Sequence, residues 1–359
     1  MKIAIFSLYS GHINRGVETW VRDFAETMSK YPIVVFQGGK DEAKHSYEVK
    51  TIQVSLLRKL TEGEKTIYQI LVPLYLELLK LFFTLRSLIY LIKFKPDVVM
   101  PSNGGVQTFI LKMLSVIFNW KLVIVGHAGI GAPDKWNLLC RPDLFISPSK
   151  RGKVWAESLF FSKGLRIVSI PHGIDLAKFS NNLKKVSLPL ERPIILCVSS
   201  FDPYKRVELA VEVVSRLKKG SLLVIGGDRG QGFVDEIGKK LLGKSRYLKL
   251  KVDPAQMPVY YDSADLFTLP SSEYEAFGIV YLEALAANLP VVATDDALRR
   301  EIVGNAGILV DPIDAEAYKK ALEKALGISW GDIPRKQAEK YSWNEISKKY
   351  DKELNKLIN

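Results

Sequence analysis

DLFTLPSSEYEAFGIVYLEALAANLPVVAT, residues 265–294, runs from one extended apolar segment through an acidic corner and an apolar helix into a second extended segment. DLFTLP (265–270) and PVVAT (290–294) are short and continuously apolar rather than alternating. Strands of that kind are covered on both faces, as in parallel sheets flanked by helices. Between them, SSEYEAFGIVYLEALAA (271–287) predicts a loop that turns into a helix, with Glu275 just before the turn and Glu283 eight residues later.

Outward from this stretch the same rhythm repeats. KIAIFSL (2–8), PIVVFQ (32–37), PDVVM (96–100), KLVIVGH (121–127), DLFISPS (143–149) and RIVSIP (166–171) read as strands separated by helical stretches. After the polar stretch NNLKKVSLPLERP (181–193) the pattern restarts with IILCVSS (194–200), SLLVIGG (221–227) and YLKLKV (247–252). A chain of 359 residues exceeds one ordinary core. The predicted fold class is α/β, with two successive doubly wound parallel-sheet domains over residues 1–180 and 181–342. YSWNEISKKYDKELNKLIN (341–359) closes the chain as a charged amphipathic helix. Ligands bind such sheets beyond the C-terminal strand ends, so the residues just after these runs are the candidates.

A composition of 47% hydrophobic and 25% charged residues is that of a folded globular protein. Cys140 and Cys197 lie far apart and form neither a disulfide framework nor a metal pattern, which points to a reducing compartment. MKIAIFSLYSGH lacks the long apolar region and cleavage site of a signal peptide, so the expectation is a cytoplasmic protein. The net charge of +12 is uneven: residues 1–180 hold 24 Lys and Arg against 14 Asp and Glu, and residues 181–359 hold 27 against 25. An anionic membrane surface or a phosphate-bearing acceptor fits the basic half, and so does solubility alone. Nucleic acid is not expected, because no zinc-finger or RNP reader motif occurs. IYQILVPLYLELLKLFFTLRSLIYLIKF (67–94) is densely apolar, but Glu77, Lys80, Arg86 and Lys93 interrupt any spanning run. It predicts a long helix with Pro73 near its start or at a kink. Such a helix is either a core element or a basic, amphipathic surface that rests on a membrane.

Several residues follow strands and carry chemistry. SGHINRGVETWVRDFAETM (10–28) has Gly11 and Gly16 for tight turns and a helix opening near Val17, which suits a phosphate or a plain connection. His127 ends KLVIVGH ahead of the small-residue loop AGIGAP, a place for a ligand contact or a satisfied structural imidazole. His172, in PHGID, reads as a structural turn residue. In SSFDPYKRVELAVEVVSRL (199–217), Lys205 and Arg206 stand where a loop becomes a helix. A lysine there neutralises a bound diphosphate or is simply surface charge. At the acidic corner, amides of Phe277, Gly278 and Ile279 would point out of the helix start, and Gly278 would let an anion approach. Eight helical residues would separate Glu275 from Glu283 by about 12 Å. The pair then brackets a diphosphate while accepting hydroxyl hydrogen bonds at either end, or is ordinary solvated surface.

Taken in order, these motifs resemble the retaining glycosyltransferases of the GT-B fold, in the large group 1 (family 4-like) family with a Glu-x7-Glu motif. SGHINRGVET is similar to its N-terminal Gly-rich loop, VIVGHAG to the segment with its histidine, and SIPHGIDLAKF to the turn before its interdomain linker. SSFDPYKRVELAVE is similar to its donor-loop lysine region, SSEYEAFGIVYLEALAANLPVVAT to its acidic motif, and VGNAGILVDPID to its late Gly-containing turn. The resemblance implies two Rossmann-like domains facing each other across a cleft, with the helix 343–359 packed back on the first. It implies that Glu275 accepts from donor-sugar hydroxyls, that Glu283 holds the ribose, and that Lys205 with the Phe277–Ile279 amides stabilises the leaving diphosphate. His127 would orient the donor sugar, Gly16 would let its loop approach donor and acceptor, and Val252 would line the nucleobase. No cofactor and no metal are expected beyond a UDP- or GDP-linked sugar, because Lys205 and the helix terminus take the metal's place.

Three departures stand out. Ser200 occupies a position where the family often has arginine, with Arg206 or Arg229 left to compensate. Arg15-Gly16 replaces a common Gly-Gly, and Asn288 replaces a frequent glycine before Pro290. The expected function is transfer of a hexosyl-type sugar, with retention, to a lipid-linked or glycan acceptor by a peripheral protein at the cytoplasmic membrane face. A front-face route would let the donor phosphate take the acceptor proton. The alternatives are a soluble transferase with a small or polymeric sugar acceptor, and a GT-B module that binds nucleotide or glycan without turnover. A nicotinamide oxidoreductase would need the Gly-x-Gly-x-x-Gly fingerprint, which the first turn lacks.

Overall fold

The computed structural model describes residues 1–13, 16–40, 43–54, 67–179, 186–226 and 231–358. The chain divides into two compact units, Met1–Gly173 with Trp343–Asn359, and Ile174–Ser342.

In the first unit, β1 (Ile3–Ser7), β2 (Ile33–Gln37), β3 (Glu48–Thr51), β4 (Val98–Pro101), β5 (Lys121–Val125), β6 (Leu144–Ser147) and β7 (Ile167–Ser169) form one sheet. All its pairings are parallel, in the order β3-β2-β1-β4-β5-β6-β7. The helices are α1 (Gly16–Thr27), α2 (Ile67–Phe94), α3 (Val106–Phe118), α4 (Ala132–Leu139) and α5 (Lys150–Ser158). Side chains alternate across each strand. Ile3 and Ile5 therefore enter a core with Trp20 and Phe24 of α1, while Ala4 and Phe6 enter another with Phe83 of α2 and Leu111 of α3. Cover on both faces is why β1 reads as an unbroken apolar run. The edge strand β3 (EVKT) is half-exposed, has no such run, and escaped the sequence pattern.

The second unit holds β8 (Ile194–Val198), β9 (Ser221–Ile225), β10 (Tyr247–Leu250), β11 (Leu266–Leu269), β12 (Val291–Thr294) and β13 (Gly307–Val310). Their pairings are parallel in the order β10-β9-β8-β11-β12-β13. Helices α6 (Val207–Ser215), α7 (Gln231–Arg246), α8 (Met257–Ser263), α9 (Ile279–Ala286), α10 (Ala297–Val303), α11 (Ala315–Gly327) and α12 (Ile333–Glu339) cover it. β13 occupies the stretch read from sequence as a Gly-containing turn.

The last helix, α13 (Trp343–Ile358), belongs to the first unit. Trp343, Ile346, Tyr350 and Leu354 join Trp20 and Phe24 in its core, and Glu353 pairs with Arg166 at 2.6 Å. The chain changes unit at Ile174, ahead of the expected 180/181 boundary. Gly173 has no room for a Cβ beside the Trp343 indole, whereas the Ile174 amide already donates to the Tyr341 carbonyl at 2.9 Å. Residues 180–185, at the start of the polar stretch taken as the joint, lie outside the described residues.

Each sheet reverses its strand order at one place, between β1 and β4 in the first and between β8 and β11 in the second. Such switch points open a crevice at the C-terminal strand ends. Both candidate sites lie there.

Candidate functional site

In the second unit, the loops after β8 and β11 meet. The β8 loop makes a single 3₁₀ turn at Pro203–Lys205, and Arg206 then takes a left-handed conformation (φ 52°) before α6. The Tyr204 carbonyl accepts from the Ser272 amide at 2.7 Å, which ties this loop to the acidic corner. The Lys205 ammonium thereby reaches the Glu275 carboxylate at 2.5 Å, with the side chains 12% and 7% exposed, and lies 4.9 Å from the Tyr204 ring centre. Burial disfavours the lysine charge, but the adjacent Glu275 carboxylate outweighs it and holds the ammonium pKa above its ordinary value.

The corner ends at Gly278 (φ 78°, ψ 65°), where a Cβ would lie 2.6 Å from the Tyr281 ring. Only glycine fits that conformation and that contact. The helix begins at Ile279, so Glu275 lies in the loop and residues 275–283 are not one continuous helix. The expected eight-residue helical rise between the two glutamates is therefore corrected. Glu283 projects from within α9 and accepts from Tyr261 Oη at 2.7 Å, and burial together with this carboxylate pushes the phenol far above its usual range. Phe277 is buried, so only its backbone is offered to a ligand. The amides at the start of α9 lack intrahelical acceptors by geometry. Val252 follows β10, half-buried against the core.

Ser200 is exposed and donates to Asp202 at 2.7 Å. Arg206, named as one residue that could compensate, is engaged with backbone carbonyls. Its guanidinium braces the corner from behind, donating to the carbonyls of Pro270 (2.7 Å) and Ser271 (3.0 Å) and to Thr294 Oγ1 (3.3 Å). Arg229 lies outside the described residues. Sequence reasoning missed Arg299, which is fully buried and donates to the carbonyls of Ser271 (2.8 Å) and Ser272 (3.0 Å). Its only sequence signal is an aspartate three residues earlier, and Asp296 pairs with it at 2.6 Å.

His127 and Gly16 belong to the first unit. The His127 ring packs edge-on against Trp20 (4.8 Å) and stacks on His172 (5.3 Å). Burial, with His172 beside it, holds this imidazole well below its ordinary pKa, and burial alone takes His172 down to about 4. His172 is thus more than a turn residue, since it is one wall of this aromatic stack. The buried His127 Nε2 has no hydrogen-bond partner among the described residues. Gly16 opens α1 exposed, and a Cβ there would meet nothing within 4 Å. At Gly11 (φ 79°), by contrast, a Cβ would lie 2.6 Å from the Gly39 backbone. Arg15 lies outside the described residues.

Beside His127, a cavity of about 940 Å³ opens at the first sheet's switch point. Tyr9 borders it after β1, Asn103 after β4, and Asp134 and Asn137 from α4. Asp134 is 2% exposed, and it accepts from Asn137 Nδ2 at 3.0 Å and from the amides of Ala128 and Gly129. Burial pushes its carboxyl up to about 7 despite those donors. Glu77 and Lys80 of α2 form an ion pair on the same wall, and Glu77 accepts from the Val106 amide (2.9 Å) at the start of α3. Sequence alone marked Glu77 and Lys80 only as interruptions of an apolar run, and did not single out Asp134. Among the described residues, no three His, Cys, Asp or Glu side chains stand together as a metal-binding group.

Residues 178–344 match the model of Glycosyl transferases group 1. The phosphatidyl-myo-inositol mannosyltransferase of Mycolicibacterium smegmatis is 33% identical over 202 residues, covering 51% of this chain and 50% of that protein. The sulfoquinovosyl transferase of Arabidopsis thaliana is 25% identical over 295 residues, covering 72% and 56%. The chain thus spans about half the length of the curated relatives it matches. Among solved structures, sucrose-phosphate synthase from Thermosynechococcus elongatus superposes with a TM-score of 0.79 at 20% identity, over 99% of this chain and 98% of that one. Anabaena HepE, solved with UDP and glucose, gives 0.74 at 17% identity over 99% and 100%. Residues 178–344 thus resemble the group 1 glycosyl transferases, and the two Rossmann-like units have the GT-B fold of the solved structures they superpose on.

Proposed function

We propose that the chain transfers a sugar from a nucleotide-sugar to a hydroxyl of a lipid-linked or glycan acceptor, with retention and without a divalent metal, at the cytoplasmic face of a membrane. The Lys205–Glu275 contact at 2.5 Å carries the donor half. A cation for phosphate and a carboxylate for sugar hydroxyls, side by side, mark the point where a sugar joins its diphosphate. The C1–O bond to the diphosphate breaks there, and Lys205 with the α9 amides stabilises the charge that develops on the leaving oxygen. The acceptor oxygen bonds to C1 on the same face, and its proton passes to that leaving oxygen, so no protein base is required. Glu283, with one oxygen held by Tyr261, takes the ribose, and Val252 borders the base. His127 offers its Nε2 to a sugar hydroxyl. The matching relatives that act on phosphatidyl-myo-inositol or transfer sulfoquinovose support a sugar-transfer reading.

The membrane part is supported by α2. Leu74, Leu78, Phe82, Leu85, Ile89 and Ile92 are each at least 41% exposed and recur at spacings of three and four. At 100° per residue they form one stripe roughly 27 Å long. Exposed Arg86 and Lys93 stand on the same helix, in the half of the chain that carries most of the net positive charge. No helix among the described residues is long and apolar enough to cross a membrane. The stripe is therefore suited to lie on an anionic bilayer.

Screening a nucleotide-sugar panel for nucleotide release and thermal stabilisation, with and without a chelator, tests the donor half. Proton NMR of the first product reads the anomeric outcome. Co-sedimentation with anionic and neutral vesicles tests the surface, and no anionic preference at low salt removes that part.

A further inference from the structure

Two cations converge on the backbone behind the acidic corner. Arg299 of α10 is fully buried, and its Nη2 donates to the carbonyls of Ser271 (2.8 Å) and Ser272 (3.0 Å). Its Nε and Nη1 have no hydrogen-bond partner among the described residues. Asp296, the N-cap of the same helix, lies 2.6 Å from Nη2. The Ser271 carbonyl also accepts from Arg206 Nη2 at 3.0 Å and from Thr294 Oγ1 at 2.7 Å. One carbonyl oxygen therefore takes three donors, two of them cationic. Burial first, and the Arg299 charge second, lower the Arg206 guanidinium from its ordinary pKa, so the two cations oppose each other. Burying a guanidinium with open N–H groups beside another is unfavourable, and a well-packed apolar side chain would serve stability as well or better. The charge is accounted for by what it holds.

A trans peptide is rigid, and its C=O and N–H point in opposite directions. In the trans plane joining Ser271 to Ser272, Arg299 takes the carbonyl while the amide donates to the Tyr204 carbonyl at 2.7 Å. Tyr204 immediately precedes Lys205. The next carbonyl, on Ser272, accepts from Arg299 and from the Glu275 amide at 3.3 Å, which closes the turn 272–275. One guanidinium nitrogen thus holds two peptide planes, the first leading to Lys205 and the second to Glu275. The side chains of those two residues meet at 2.5 Å.

We propose that Arg299 is a positioning residue for sugar transfer: through the Ser271 and Ser272 carbonyls it fixes the Lys205 ammonium and the Glu275 carboxylate at the spacing from which one meets the diphosphate and the other the sugar. The catalytic consequence rests on the sugar-transfer reading. The positioning itself is measurable without a donor.

The donor-free measurement is acetylation of the full chain with limiting acetic anhydride, followed lysine by lysine by mass spectrometry. Lys205 is 12% exposed and paired, and Lys319 of α11, 27% exposed, is the reference within the same unit. Arg299→Met, which keeps the bulk and removes the donors, should raise Lys205 labelling about tenfold relative to Lys319. With the nucleotide-sugar that the panel selects, the same variant should lower kcat about 100-fold and raise KM less than about threefold, because the reacting groups are displaced while ribose and amide contacts remain. Arg299→Lys, which restores a cation with a shorter reach, should recover about tenfold of that kcat and most of the Lys205 protection. Lys205 labelling that is unchanged in Arg299→Met, or that rises only in step with Lys319, overturns the proposal, and so does a kcat equal to that of the wild type. If circular dichroism shows that Arg299→Met does not fold, Arg299→Lys decides alone: a kcat about tenfold below wild type with faster Lys205 labelling supports the proposal, and wild-type values for both overturn it. Failure of the donor reading shows separately, as no turnover of any nucleotide-sugar by the wild-type chain while Lys205 labelling still responds to Arg299.

Discussion

Helices α9 and α2 are both apolar on nearly every side, yet they stand in opposite surroundings. α9 is closed in by α8, α10, α12 and β12, and Tyr281, Leu282, Ala284, Leu285 and Ala286 are all buried. α2 buries Leu79, Phe83 and Leu91 against the sheet and leaves six large apolar side chains in solvent on its other side. All-round apolarity therefore signals burial only where packing partners stand on every side. Where they do not, it leaves a surface that water disfavours.

The comparison breaks hardest at the corner that α9 supports. Glu275→Gln should lower turnover about 100- to 1000-fold with an unchanged circular dichroism spectrum, because it removes a charge that acts on the reacting sugar. Lys205→Ala should do as much and also cost about 3 kcal/mol of stability in denaturant unfolding, since it strands a buried carboxylate. Intact turnover in either variant would refute the assignment. A matched pair reads the two helices directly. Leu282→Ser in α9 should cost roughly 3 kcal/mol by placing a hydroxyl in a filled core. Leu78→Ser with Phe82→Ser and Ile89→Ser in α2 should leave the thermal midpoint nearly unchanged and reduce partition onto anionic vesicles about tenfold. Gly278→Ala should cost roughly 1–2 kcal/mol, through its left-handed φ and the Tyr281 ring.

The first unit offers a pH dependence. Asp134 has its folded pKa raised to about 7 from 3.8, so the folded chain holds that proton more tightly than the unfolded one. Its contribution to stability is fully present below about pH 4, falls as pH rises, and levels off above about 7. Asp134→Asn should flatten that decline in a series of thermal midpoints and remove the inflection near neutral pH. An inflection that persists in the variant would assign it to another group.

The sequence made the second unit's site more legible than the first's. Lys205, Glu275 and Gly278 each follow a strand or open a helix, Glu283 stands in the helix they lead into, and their residue types carry their chemistry on the surface of the pattern. Arg299 was invisible because its task, donating to the carbonyls of Ser271 and Ser272, depends on a loop 28 residues away folding against it. The Arg206 contact with Pro270 was equally invisible, since nothing local says that a loop arginine faces inward. In the first unit, Asp134 lies in a stretch with no periodic signal, and its burial comes from the loop that its carboxylate collects. β3 escaped because an edge strand needs no apolar face on both sides.

By itself, the sequence determined the class of fold, the strands covered on both faces and the order of the motifs. Periodicity and residue type act locally, and each strand or helix start carries its own signature. Only the tertiary structure decided which charges are paired, where the units divide, that the stripe on α2 is exposed among the described residues, and that Glu77 and Lys80 wall a cavity. Those outcomes depend on contacts between residues far apart in the chain, where burial and partner distance set the electrostatics and no local pattern records them.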